Sequence, residues 1–323
     1  MAVSLSDIRI SIVVLNYRTP DQTGAALRSA REAAGDAQVE ALVVDNSPGN
    51  ESSLALEREC PGARVLSMES NVGFAAGMNA GIRASSGDYI LLLNSDVIAK
   101  TGSVSSLVAY MDGHADVGLC APLLVDENGA PSRTLLLQPT VARVLLPWVG
   151  KSHYRAWRNK LGAEPLDVEA TEGAAIMVRR SALEQAGLVD EDFFFYHEIV
   201  EWCMRIQDHG WKCVVLPSVQ MIHTSGGSTG GMRRAARIEL KRSEYQLLRK
   251  RLGGAMCVAT QARDVISETL NVCFYGALIL LSLRRWRRGL DKLRAHSAVW
   301  LWLLLGMPHR SDARYKRYFG QWD

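Results

Sequence analysis

The sequence predicts an α/β fold on a mostly parallel sheet with helices on both faces, and three observations carry that expectation. Short runs of Val, Ile and Leu recur along the first hundred residues; helix-patterned segments separate them; and the runs lead into polar residues. Strands that are apolar on both sides need cover on both faces, and ligands of such sheets gather at the carboxyl ends of the strands. With 323 residues, 48% of them hydrophobic and 22% charged, the chain can bury a sizeable core in one large domain or two smaller ones. A disordered chain is excluded.

The elements follow in order. Ile10 to Leu15 reads as a strand, and the segment after Pro20 (DQTGAALRSAREAA) as a helix, since proline suits a first helical turn. Glu40 to Val44 forms a second strand ending at Asp45-Asn46-Ser47. Leu54 to Glu59 reads as helix, Arg64 to Ser67 as a short strand, Gly77 to Ala84 as helix and Tyr89 to Leu93 as a buried strand.

The strand ends carry the polar groups: Asn16 and Tyr17, then Asp45 and Asn46, then Asn94 and Asp96. Singly, each suits a helix cap or an Asx turn; three together indicate one site. The stretch from Asn71 to Val97 is the most telling, because it runs from a glycine-rich helix through an apolar strand to Asn94-Ser95-Asp96. A lone acid at the tip of a buried strand, beside backbone that a phosphate can approach, suits a metal-bound diphosphate. No GxGxxG follows the first strand and no GxxxxGK[ST] occurs, which disfavours a dinucleotide fold and a P-loop.

Charge is unevenly spread. From Met232 onward there are 19 Lys and Arg against 7 Asp and Glu, a net +12, while the preceding residues, with 18 against 27, carry −9. A basic tail on an acidic body suggests an anionic surface as partner. The apolar stretches Leu270 to Leu283 and Ala298 to Met307 both fall short of the roughly 20 residues that cross a bilayer. With an arginine-rich segment between them, they suit helices lying among lipid headgroups; a core helix pair or an oligomer interface is the alternative. A nucleic-acid arm is disfavoured by the interleaved Trp, Leu and Ile. Near the N-terminus the apolar run Ile12 to Leu15 is a buried strand and not a signal peptide. The six cysteines show no CxxC pair or zinc-like spacing, and are expected to be reduced, buried thiols of a cytosolic protein.

Read together, IVVLNYRTP, VVDNSPGN, NVGFAAGMNAGI, YILLLNSDV and the segment from EGAAIMVRR to IHTSGGS resemble, in order and spacing, glycosyltransferase family 2. The resemblance covers about residues 9 to 228, and its nearest subgroup is rhamnosyltransferase-like. It implies the GT-A fold, a Rossmann-like mixed, mostly parallel sheet flanked by helices, here with a helical basic C-terminal extension. The boundaries implied are a catalytic domain over 1–231, with a nucleotide-binding half over 1–100 and an acceptor half over 101–231, and a basic region over 232–323.

The resemblance places Asn16 and Asp45 against the nucleoside. It gives Asn71, Gly73, Gly77 and Asn79 to the donor, with glycine letting backbone amides approach it. Asn94-Ser95-Asp96 matches the family's DxD position with Asn as its first member, making Asp96 the direct ligand of Mg²⁺ or Mn²⁺. His223 matches a histidine that completes the coordination. Gly173 and Ala174 match a small-residue segment that leaves room for sugars, while Phe193 to Tyr196, Trp202 and Trp211 suit either sugar stacking or packing.

An inverting transferase needs a general base beside the acceptor hydroxyl and a stabilised diphosphate leaving group. The family's base is usually the second carboxylate of an acidic pair at a helix start, and Ile199 stands there in Glu198-Ile199-Val200-Glu201. Glu198, Glu201 and His197 remain as candidates, and Glu201 has Arg205 as a partner four residues on. The activity implied is metal-dependent, inverting transfer of a sugar, rhamnose from dTDP-rhamnose by subgroup, from a nucleoside diphosphate sugar to a glycan or lipid-linked glycan. The rival reading is a nucleotide-sugar-binding protein impaired in catalysis. The expected place is cytoplasmic, peripheral on the inner face of the cell membrane in surface polysaccharide synthesis, without nucleic acid and with a homodimer through the C-terminal region left open.

Overall fold

The computed structural model describes residues 9–47, 49–159, 162, 164–224, 233–281 and 287–319. Arg284, Arg285 and Trp286, the SGGS segment and the expected boundary at 231 lie outside them. The described residues form two compact units. One takes its residues from Met1–Gln138, Trp148–Phe194 and Glu198–Ser228, the other from Pro139–Pro147, Phe195–His197 and Thr229–Asp323.

In the first unit, β1 (Arg9–Asn16), α1 (Pro20–Ala33), β2 (Gln38–Asp45), α2 (Asn50–Glu59), β3 (Arg64–Ser67), α3 (Phe74–Ala84) and β4 (Tyr89–Asn94) alternate as the apolar runs require. They continue through β5 (Val97–Ala99), α4 (Ser103–Gly113), β6 (Val117–Val125) and β7 (Leu135–Leu136). After α5 (Val141–Leu145), which lies with the second unit, come α6 (Pro147–Arg158), β8 (Leu166–Asp167), β9 (Ala170–Thr171) and β10 (Ala175–Arg179). The unit closes with α7 (Arg180–Ala186), α8 (Glu198–Asp208) and β11 (Lys212–His223).

The main sheet runs β3-β2-β1-β4-β10-β6-β11-β5, with β8 beside β11. Strands β3, β2, β1 and β4 are mutually parallel, β10 lies antiparallel between β4 and β6, and β11 is parallel to β6. The mixed, mostly parallel sheet is therefore present as expected. Its core is the two-sided apolar filling that continuous strands demand, with Ile10, Ile12, Val14, Val43, Leu91 and Leu93 all fully buried.

Helix α3 lies unusually close to this sheet. A Cβ at Gly81 would come 2.2 Å from Val13 Cγ1 and 3.1 Å from Val44 Cγ2. Gly81→Ala is therefore expected to cost about 1–3 kcal/mol through overpacking, read from the urea midpoint; an unchanged midpoint would show that the helix can simply lift.

The second unit is helical: α9 (Arg233–Leu252), α10 (Gly254–Leu281), α11 (Arg287–Leu304) and α12 (Ala313–Phe319). Its own core gathers Ile238, Tyr245, Leu248, Val299, Trp302 and Tyr315. Two expectations are corrected here. The apolar stretch from Leu270 is part of one 28-residue helix, and by length and composition that helix could cross a membrane. Of the six free cysteines five are buried, but Cys273 is exposed, because it lies on the outward side of α10.

Candidate functional site

Pairing register brings the strand tips side by side. Asn16 stands opposite Asp45, and Leu15 opposite Asn94. Asp45 is 0% exposed, a position in which an unpaired carboxylate would be costly. Its Oδ1 accepts from Asn16 Nδ2 at 2.8 Å, Ser52 Oγ at 3.0 Å and Ser47 N at 3.1 Å, and its Oδ2 accepts from Ser53 Oγ at 3.1 Å. Ser52 and Ser53 sit in the first turn of α2, where a helix N-terminus favours negative charge. Asn16 is equally committed: its Oδ1 accepts from Thr23 Oγ1 at 2.9 Å and Thr19 N at 3.2 Å. Asn16 thus braces the acid, and Asp45 Oδ2, with one donor among the described residues, retains acceptor capacity.

The glycine-rich segment packs closely against the protein itself. Gly73 has φ +90, and a Cβ there would meet Phe194 O and Cδ2 at 2.5 Å. A Cβ at Gly77 would meet Leu15 Cδ1 at 2.7 Å. In both cases glycine admits protein neighbours. Asn71 Oδ1 accepts from Asn46 Nδ2 at 3.0 Å and from Gly73 N at 3.1 Å, which shapes the turn into α3.

Asn79 is engaged by protein partners. It is fully buried, its Nδ2 donates to Val189 O at 2.7 Å and Glu191 Oε1 at 2.8 Å, and its Oδ1 accepts from Val189 N at 3.1 Å. Asn79→Ala should accordingly lower stability by about 2 kcal/mol while leaving the KM for donor unchanged. A raised KM at full stability would return the residue to the donor site.

Asp96 lies just past β4, where Asn94 N donates to Ala174 O at 2.8 Å. His223, the last residue of β11, pairs with Val97 on β5. This brings His223 Nε2 to 3.4 Å from Asp96 Oδ1, with Thr224 N and Oγ1 both holding Asp96 O at 3.1 Å. Burial would lower the imidazole pKa, but the hydrogen bond and charge of Asp96, aided by Glu172, raise it above the ordinary value.

Glu172 is the residue that sequence reasoning missed. Ala175 stands opposite Leu93 in the β10–β4 pairing, so the same register carried down the chain brings Glu172 toward Asp96. Burial raises its carboxyl pKa, opposed by the charges of His223 and Arg133 and reinforced by that of Asp96. No local pattern marks Glu172 as part of this cluster.

The candidate bases are separated by their surroundings. Glu201 accepts from Arg205 Nε at 2.7 Å, and Arg205 Nη2 is itself anchored on Leu188 O, so that carboxylate is occupied as its spacing suggests. Glu198, at the first position of α8, is 6% exposed. Ile199 packs inward, with its Cγ1 2.6 Å from where a Cβ on Gly173 would be. His197 and Tyr196 both hold left-handed backbone, φ +64 and +71, which costs non-glycine residues about 1–3 kcal/mol each and often marks functional segments. Trp202 is fully buried and donates to Gly187 O at 2.8 Å, and Trp211 donates to Gln185; both are packing residues.

Three comparisons bear on this arrangement. Residues 11–187 match the model of Glycosyl transferase family 2. The chain is 27% identical over 210 residues to the N-acetylglucosaminyl-diphospho-decaprenol L-rhamnosyltransferase of Mycobacterium tuberculosis, covering 59% of this chain and 68% of that protein. It is 23% identical over 177 residues to the dTDP-rhamnosyl transferase RfbF of Shigella flexneri, covering 50% and 52%. Among solved structures, the mannosyltransferase PcManGT from Pyrobaculum calidifontis, in complex with GDP-Man and Mn²⁺, superposes with a TM-score of 0.55 at 14% identity over 93% of this chain and 87% of that one. That last likeness concerns the fold alone.

Proposed function

The chain belongs to glycosyltransferase family 2 and is a rhamnosyltransferase-like glycosyltransferase of GT-A fold; on that premise we propose metal-dependent, inverting sugar transfer from a nucleoside diphosphate donor to a glycan or lipid-linked glycan. The observation that carries this reading is the Asp96–His223 pair, 3.4 Å apart at the carboxyl end of the sheet. Oxygen and imidazole donors facing each other suit Mg²⁺ or Mn²⁺. Among the described residues no three His, Cys, Asp or Glu side chains form a metal cage. Two protein ligands fit a cation that draws the rest of its shell from diphosphate and water. Such an ion would neutralise charge on the departing diphosphate.

The protein's own residues supply position and proton transfer. Asp45, fixed by Asn16 and its serines, orients the nucleoside. Glu198, at the first position of α8, takes the acceptor hydroxyl proton. A dTDP-rhamnose donor is supported by the named activities of the relatives. With Mn²⁺ and a panel of dTDP, UDP and GDP sugars, dTDP-rhamnose should be hydrolysed fastest; no turnover and no binding of any donor would sink the proposal.

Membrane association is supported by the second unit, whose helix α10 is inside out. Its buried face carries Asp264 and Glu268, satisfied by Lys241 Nζ at 2.8 Å, Tyr245 OH at 3.0 Å and His296 Nδ1 at 2.6 Å. Its outer face exposes Val258, Ile266, Leu270, Phe274, Leu280 and Leu281. Water penalises that distribution and lipid rewards it, and the +12 charge of the region adds attraction to anionic headgroups. The full chain should float with anionic liposomes, and Leu270→Glu with Phe274→Glu should abolish flotation; loss of a dimer instead would assign this face to self-association.

A further inference from the structure

A cavity of about 250 Å³ opens between the 131–135 segment and α6, lined by Ser132, Arg133, Thr134, Tyr154 and Arg158. Its chemistry is that of an anion site. Among the described residues Arg133 and Arg158 form no ion pair within 4 Å, although the charge of Arg133 reaches the Glu172 carboxyl. Ser132 Oγ is buried there without a hydrogen-bond partner in the same set. Two guanidinium groups lining one cavity, with the Ser132 hydroxyl beside Arg133 in the chain, match the oxygens of phosphate groups better than any neutral sugar.

The cavity adjoins the transfer site. Thr134 O accepts from Glu172 N at 2.9 Å and from Thr171 Oγ1 at 3.1 Å. The cavity wall is therefore hydrogen-bonded to the segment that runs to Asp96. The volume decides the size of the guest, since about 300–1,000 Å³ is usual for a drug-sized ligand and this space suits a diphosphate alone.

We propose that Arg133, Arg158 and Ser132 form a subsite for the diphosphate of a lipid-linked acceptor, separate from the donor diphosphate at Asp96 and His223. The inference rests on the acceptor class proposed above. A sugar attached to that diphosphate would reach toward the donor, while the lipid leaves the cavity through its open side.

The test uses the full chain in EDTA, which removes the metal-dependent donor site and needs no turnover. Citronellyl diphosphate, inorganic pyrophosphate and a phosphate-free citronellyl glycoside are titrated separately by calorimetry. Citronellyl diphosphate should bind, the glycoside should not, and Arg133→Gln and Arg158→Gln should each weaken binding about tenfold or more, as loss of a charged hydrogen bond does. Equal affinity of wild type and both variants overturns the subsite, as does equal binding of the glycoside. Binding of pyrophosphate without the citronellyl compound assigns the cavity to free diphosphate and overturns the acceptor role. If Arg133→Gln fails to fold, Arg158→Gln on the exposed side of α6 gives the same reading. Failure of donor hydrolysis with Mn²⁺ would count against the activity, a result distinct from all of these.

Discussion

Asp96→Asn should lower sugar transfer by about 10²- to 10³-fold, the usual effect of removing one group that stabilises transition-state charge. The variant keeps the shape of the side chain and the backbone bonds from Thr224 N and Oγ1 to Asp96 O, so the fold should persist. What it loses is the anionic oxygen that faces His223 Nε2 at 3.4 Å. His223→Gln should cost less, because the carboxylate carries the charge. Mn²⁺ binding in the presence of dTDP, followed by electron paramagnetic resonance, gives a readout independent of turnover. The Asp96 variant should lose it; transfer within fivefold of wild type together with intact Mn²⁺ binding would remove Asp96 from the metal.

Much of this site was legible because parallel strands impose an order on their tips. Once Ile10 to Leu15, Glu40 to Val44 and Tyr89 to Leu93 are read as neighbouring strands, Asn16, Asp45 and Asn94 must come together, and the register does this. Glycine was less informative. Close approach leaves the same mark in a sequence whether the neighbour is a phosphate or a side chain, and at Gly73 and Gly77 the neighbours are Phe194 and Leu15. Asn79 is ambiguous in the sequence for a related reason, since an amide that pins a distant loop looks like one that holds a ligand. Glu172 was invisible because its place depends on an antiparallel strand, β10, inserted beside β4 from eighty residues away. The apolar stretch from Leu270 shows only half of helix α10, because the half before it carries Asp264 and Glu268, which face the interior.

Glu198→Gln should lower kcat by about 10²- to 10⁴-fold, the range for loss of a general base, with the KM for donor little changed. Glutamine preserves size and hydrogen-bonding capacity at a position 6% exposed and removes the ability to take a proton. Glu201→Gln should act differently: it breaks the 2.7 Å pair with Arg205 and so should reduce stability more than the proton-transfer step. Ile199→Asp discriminates between catalysis and mere donor binding. Ile199 is packed against Gly173, and a carboxylate placed there enters an apolar contact, so in an active enzyme the substitution should reduce activity. If wild type and Glu198→Gln are equally inactive while Ile199→Asp gains transfer, the natural chain binds nucleotide sugar without transferring it. A loss confined to Glu198→Gln, with a flattened acidic limb in the pH profile of kcat, assigns the proton transfer to the first carboxylate of α8 and makes Ile199 part of the wall that keeps water from it.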